Sequence, residues 1–199
     1  MNMRPTDILR AEHRVIEQVL DCLAVVAARA RSSHSLDNES AADLLEVLAT
    51  FADKCHHGKE EDLLFPALER AGMNPGQGPT AAMRMEHVQG RGHLALMRES
   101  LGDESAKAAL SFAEAADAYV ALLRQHIQKE DHCLFAMADS LLSAAVQKDL
   151  VHQFETVESQ KMGHGTHQRM LDLASSTASR LNVPFRVAEG VTTCCCRTN

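Results

Sequence analysis

A ten-residue pattern that occurs twice, 70 positions apart, constrains this chain more than any other feature. The segments His56-His57-Gly58-Lys59-Glu60-Glu61-Asp62-Leu63-Leu64-Phe65 and His126-Ile127-Gln128-Lys129-Glu130-Asp131-His132-Cys133-Leu134-Phe135 share His-x-x-Lys-Glu-[Glu/Asp]-x-x-Leu-Phe. On a helix, a His and the Glu four positions later lie one turn apart on the same face. A neutral imidazole nitrogen beside a carboxylate, both pointing inward, is a ligand pair suited to a first-row transition metal. Two such clamps in one chain imply a two-sided site.

The rest of the chain reads as helix. One Tyr and no Trp, with abundant Ala, Leu, Glu and Arg, favour helix over strand. A first helix is expected from Thr6, its N-cap, to near Arg31, with Leu9, Ile16, Leu20, Leu23 and Ala27 in one stripe that includes His13. A second runs from about Asp37 to Ala71. It aligns Leu45, Leu48, Ala52, Leu63 and Ala67 with His56 and Glu60, is kinked by Pro66, and has Gly72 as its C-cap residue. The segment 73–79 is the clearest loop. A third helix to about Ser100 aligns Met83, His87, Gly90, Leu94, Met97 and Leu101. A fourth follows Ser105 and carries Phe112, Tyr119, Leu122, His126, Glu130, Cys133 and Met137. A fifth is expected from near Ser143 to Leu181, weakened at Gly163-His164-Gly165.

Short turns between long amphipathic helices predict an all-α fold, an antiparallel up-down-up-down four-helix bundle with an additional C-terminal helix. Residues 1–142 form the bundle in this reading, 143–182 a helical extension and 183–199 a poorly ordered tail. Residue counts bring His13 and His56 to one level of an antiparallel pair. The third and fourth helices match less well, with 13 residues from His87 to Ser100 against more than 20 from Ser105 to His126. Either the fourth helix starts later or it overhangs its neighbour.

With 199 residues the chain can bury a core without disulfides or metal to hold it. A net charge of −7 with no basic stripe argues against a nucleic-acid partner. No apolar run approaches the roughly 18 residues of a membrane span, and the N-terminus is too acidic and amphipathic for a signal peptide. The expected location is cytoplasmic. Cys22, Cys55 and Cys133 sit singly in helical patterns, as small buried hydrophobes. Cys194, Cys195 and Cys196 lack the Cys-x-x-Cys spacing of a zinc or redox site, so reduced thiols are expected.

Six polar groups intrude on the apolar stripes: His13, His56, Glu60, His87, His126 and Glu130. Glu precedes the lone His in both halves (Glu12-His13 and Glu86-His87), so the arrangement is an internal duplication. Burying four imidazoles and two carboxylates without partners would cost several kcal/mol or more; metal ligation removes that penalty. The two carboxylates can bridge two metals, each with two terminal His. Ligation by N and O without thiolate favours iron or manganese over structural zinc.

With these pieces in place, the chain resembles the hemerythrin-like HHE cation-binding family. The matching segments are Glu12-His13, His56 through Leu68, Met85-Glu86-His87-x-x-Gly90-Arg91 and His126 through Phe135, covering about residues 7 to 140. The resemblance implies a four-helix bundle around two non-haem iron ions with oxo or hydroxo and carboxylate bridges, manganese being the alternative. Its ligands would be His13, His56, His87 and His126 with Glu60 and Glu130 bridging. The order His-x-x-x-Glu also differs from the Glu-x-x-His of ferritin-like bundles.

Two departures from the family's oxygen carriers matter. The carriers place a further His one turn after the third-helix ligand; here Arg91 stands there and cannot ligate. Each metal would keep two His and open positions, which resembles the branch linked to repair of iron centres under nitrosative and oxidative stress. The carriers also use His-x-x-x-x-Asp on the fourth helix, so Asp131 competes with Glu130, and the internal repeat favours Glu130.

The expected function is a di-iron protein reacting with small diatomic or peroxide ligands. The alternative is an oxygen or iron sensor, carrier or store without turnover, and a purely structural bundle is a third reading. The C-terminal helix is read as a bundle cap or a homodimer contact. Among the remaining residues, Arg91 is expected to partner a carboxylate or anchor an anion. His57 and Glu61 are disfavoured as ligands and read as solvated or as outer partners of the site. Lys59 and Lys129 screen their adjacent acids. His93 and His132 are peripheral, and His164 and His167 belong to a solvated helix face.

Overall fold

Apolar residues at three- and four-residue spacing wind the chain into helices wherever they recur. The computed structural model describes residues 3–161, 163 and 165–187, and these are all-helical apart from turns and connections, with no strand among them. Helix α1 (Pro5–Ser33) buries the expected stripe. It begins one residue before Thr6, with Pro5 in the first turn, where a missing N–H costs nothing. Thr6 is therefore not the cap; its buried hydroxyl donates to Asp139 at 2.7 Å.

Helix α2 (Asn38–Val47) is capped by Asp37, which accepts from the Ser40 N–H at 3.1 Å. Beyond it the second helix of the sequence reading widens into π-helical stretches, Leu48–His57 and Glu60–Leu64, before α3 (Phe65–Arg70). A third π stretch, Glu130–Leu134, joins α5 (Ala106–Lys129) to α6 (Phe135–Leu141). In both repeats the N–H after the π turn, of Phe65 or Phe135, reaches back five residues to the carbonyl of Glu60 or Glu130.

A π turn holds one residue more than an α turn, so it rotates the following side chains by about one position. This corrects the expected stripes: Leu64 and Leu134 are buried in place of Leu63 and Cys133, and Ala138 in place of Met137. Cys133 is thus an exposed free thiol, whereas Cys22 and Cys55 are buried free thiols as expected. Gly72, at φ +110°, lets Met73 N–H bond the Leu68 carbonyl and closes α3.

Cross-helix pairs give the relative directions. Arg4–Asp139, His13–Asp131, Asp21–Arg124 and Arg31–Asp117 run in opposite order along α1 and the α5–α6 segment, which makes them antiparallel. His87 against His126 and Gly90 against Tyr119 do the same for α4 (Pro79–Glu99) and α5. Because α5 starts directly after its Ser105 cap, the unequal count is an overhang of α5 beyond the end of α4.

The expected fifth helix is two. Gly163 and Gly165 take φ of +81° and +80°, a backbone open to glycine without strain, and separate α7 (Ala144–Lys161) from α8 (Thr166–Leu181). His164 between them lies outside the described residues. Two apolar clusters result. One unites α1, α2 and α5 with Met170, Leu171, Ala174, Ala178 and Leu181 of α8. The other gathers Ile8, Leu9, Leu64, Phe65, Leu134 and Phe135 with Leu150 and Phe154 of α7. After α8, Gln18 holds the Arg186 backbone through bonds of 2.5 and 2.8 Å, and Phe185 packs on the core. Residues 188–199, Cys194 to Cys196 among them, lie outside the described residues. No helix among the described residues is long and apolar enough to cross a membrane.

Because α8 shares the main core, Leu171→Ala should destabilise the whole protein by about 2–5 kcal/mol. Urea unfolding followed by circular dichroism should show one shifted transition; an unmoved main transition would mean that α8 is peripheral.

Candidate metal centre

The two apolar clusters leave a layer between them, and the six predicted ligand residues fill it. His13, His56, Glu60, His87, His126 and Glu130 are all at most 1% exposed. Ligand atoms of His13, His56, Glu60 and Glu130 lie within 4.8 Å of one another, and so do those of His57, Glu60, His87 and His126. Glu60 belongs to both groups. Its two oxygens face different helices: Oε1 lies 3.5 Å from His56 Nε2 and Oε2 3.4 Å from His87 Nε2. Glu130 Oε2 lies 3.3 Å from His13 Nε2 and 3.2 Å from His126 Nε2.

Each of the four imidazoles is turned inward by a carboxylate behind it. His13 Nδ1 donates to Asp131 (2.8 Å), His56 Nδ1 to Glu12 (2.8 Å), His87 Nδ1 to Glu61 (2.7 Å) and His126 Nδ1 to Glu86 (2.9 Å). A carboxylate only accepts, so these bonds place the proton on Nδ1 and leave the Nε2 lone pair facing the centre. His87 and His126 Nε2 face each other at 3.1 Å. His13 Nε2, His56 Nε2 and all four oxygens of Glu60 and Glu130 are buried without a hydrogen bond. A buried ring of acceptors with no donor is costly, and the group that relieves it is a cation. The residues therefore fit one.

The electrostatics show the same demand. Burial and the facing Glu130 push the Glu60 carboxyl well above its usual range. Glu130 is held well below that range, against its own burial, by His126 and His13. His13 and His126 are raised to about 9, also against burial, chiefly by Asp131 and Glu130 for the first and by Glu130 for the second. His56 is lowered to about 4 by burial and by His13, which outweigh the Glu12 carboxylate behind it.

The duplication reaches further than the ten-residue pattern. Phe135 stacks on His13 (5.4 Å between centroids, 12°) and Phe65 on His87 (5.9 Å, 20°), which accounts for the Phe shared by both copies. Arg10 and Arg84, each three residues before its His, lie over Phe135 and Phe65 at 5.3 and 5.2 Å. The repeated unit is thus Arg-x-Glu-His followed by His-x-x-Lys-Glu, and the shared Arg was available in the sequence.

Several expectations change. His57 is not solvated: it is 4% exposed, stacks on His87 at 3.8 Å, and belongs to the second ligand group. The π-helical backbone at His56 and His57 brings two adjacent residues to one interior, which the α-helical register had excluded. Glu61 and Asp131 act behind the ligand layer, through His87 and His13. Arg91 donates to Asp53 and Glu61 at 2.8 Å each, the carboxylate-partner role expected of it. Lys59 and Lys129 reach past their adjacent acids, to Glu12 and Glu158 and to Glu86 respectively. His167 is buried beside Glu158 and not on a solvated face.

Comparisons agree with this geometry. The family model described as hemerythrin HHE cation binding domain matches residues 4–138, a span that contains every residue of the layer. An uncharacterized protein of Mycobacterium bovis and another of Mycobacterium tuberculosis are each 26% identical over 189 residues, covering 90% of this chain and 70% of the relative. No solved structure matches the chain. The family match over most of the chain, which contains the doubled His and Glu layer, means that this chain belongs to the hemerythrin HHE cation-binding domain family.

Proposed function

We propose that this protein holds two non-haem iron ions and reacts there with small ligands (O2, NO or peroxide), in a stress response or in the repair of iron centres. The observation that carries this reading is the inward layer of buried acceptors: four imidazoles oriented through Nδ1, and two carboxylates whose four oxygens have no hydrogen-bond donor. His13 and His56 would hold one ion and His87 and His126 the other, with Glu60 and Glu130 shared. Ligation by N and O alone favours iron, with manganese as the substitute. In this reading the helix pairs form an antiparallel up-down-up-down bundle over residues 1–142, with 143–182 as its extension, in a cytoplasmic protein.

Iron bound here supplies redox chemistry and a position for an exogenous ligand. The chain's own residues decide where. His57 offers the His87–His126 half a third imidazole, from the second helix rather than from position 91, while Arg91 is occupied by Asp53 and Glu61. The His13–His56 half keeps two imidazoles and so retains more room. Asp131, Glu12, Glu61 and Glu86 hold the ring protons at Nδ1 and fix the rings. Phe65 and Phe135 close the layer on one side and exclude water from it.

Purified protein should contain two irons per chain and change its visible spectrum on exposure to O2, NO or hydrogen peroxide. Absence of iron, or indifference to all three, would sink the reading; reversible oxygenation without turnover would favour a carrier or sensor. The double variant Glu60→Ala, Glu130→Ala should lose the metal, measured by metal content of the folded protein. Asp131→Asn should weaken metal binding roughly 10–100-fold, as loss of such an orienting partner does, measured by competition with a chromophoric chelator. His57→Ala should alter the spectrum of one iron only; identical changes at both would remove His57 from its half.

A further inference from the structure

The two halves repeat one relay. Lys59 donates to Glu12, which accepts from His56; Lys129 donates to Glu86, which accepts from His126. Their surroundings differ. The Lys129 side chain is 45% exposed and that of Lys59 is 0% exposed. The cover over Lys59 comes from beyond the family domain. Glu158 of α7 is a second acceptor for its ammonium, and the Phe154 ring lies 5.8 Å from Nζ. On the α8 side, His167 sits 3.7 Å from Glu158 and edge-on to Phe51 at 5.1 Å. Ligand atoms of Cys55, Glu158 and His167 cluster within 4.8 Å, and the cation beside that cluster is the Lys59 ammonium.

An ammonium sealed between two carboxylates cannot exchange either for water, so a change at one is felt at the other. Resting on the two-metal reading above, we propose that Glu158 is a positioning residue. Through Lys59 and Glu12 it sets how strongly His56 holds metal, and the C-terminal helices thereby make the His13–His56 half differ from the His87–His126 half. With Glu158 in place, Lys59 is shared and Glu12 remains a strong acceptor for the His56 ring proton, which keeps Nε2 electron-rich. With its charge removed, Lys59 falls to Glu12 alone, Glu12 is drawn from His56, and the imidazole becomes a poorer ligand. Lys129, solvated, has no such lever on His126.

The test is an anaerobic Co2+ titration of the full-length metal-free protein, read by visible absorption. Wild type should take two equivalents. Glu158→Gln should still take two, with one step weakened roughly tenfold, at the low end for such outer partners, and with only that step's absorption band shifted. Lys129→Gln should leave both steps within about twofold, as expected of an exposed pair. If Glu158→Gln fails to fold by circular dichroism, Glu158→Asp, which keeps the charge at shorter reach, should give a smaller shift of the same single step. Equal shifts in both steps, or none in folded variants, would overturn the proposal. So would a third equivalent lost in His167→Gln, since the Cys55–Glu158–His167 cluster would then be a metal site itself. Wild type that takes no Co2+ would instead bring down the two-metal reading, and this inference with it.

Discussion

Buried lone pairs without donors are the constraint on which this structure turns. Four imidazoles present Nε2 and two carboxylates present all four oxygens to one layer sealed between two apolar clusters. In water each would be satisfied; here none of the carboxylate oxygens is. The surrounding carboxylates deepen the demand, because each engages the Nδ1 side of a ring and turns its Nε2 toward the layer. A site so arranged is stable with positive charge inside it. The facing Glu130 carboxylate raises the basicity of His13 and His126 against their burial, the same preference for positive charge.

The helices deform to build that layer. An α-helix would send alternate members of the pattern outward, whereas the π stretches at Leu48–His57, Glu60–Leu64 and Glu130–Leu134 crowd more side chains onto one face. They bring His57 in beside His56 and put Leu64–Phe65 and Leu134–Phe135 beneath the rings. A widened turn is a weaker one, and the Phe rings stacked on His13 and His87 contribute packing where the backbone has given up regular bonding.

Much of this was legible in the sequence because a duplicated chain repeats its errors as well as its signals. The Glu-His and His-x-x-Lys-Glu units marked six residues, and the structure brings all six into one layer. Helix extents came within a few residues, since apolar spacing and the Ser105, Asp37 and Gly72 caps are local. The stripes that failed beside the site failed because a strict 3.6-residue period cannot see a π turn. Hence Leu63, Cys133 and Met137 were placed inside, and His57 outside. The roles of Glu12, Glu86, Glu61 and Asp131 as ring-orienting groups were hidden for a different reason, since each acts on a helix distant in sequence.

The sequence by itself determined that the chain is helical, that its polar intruders fall on two matching halves, and which residue types could gather a cation. Those are consequences of spacing and of side-chain chemistry, which a linear chain displays. The tertiary structure decided how unequal the halves are. Lys59 and Lys129 occupy equivalent places in the pattern, yet one is sealed under α7 and α8 against Glu158 and the other is open to solvent. Nothing local to either lysine carries that difference, because burial is a property of what folds over a residue, and the strength of a charge depends on how far water has been removed from it.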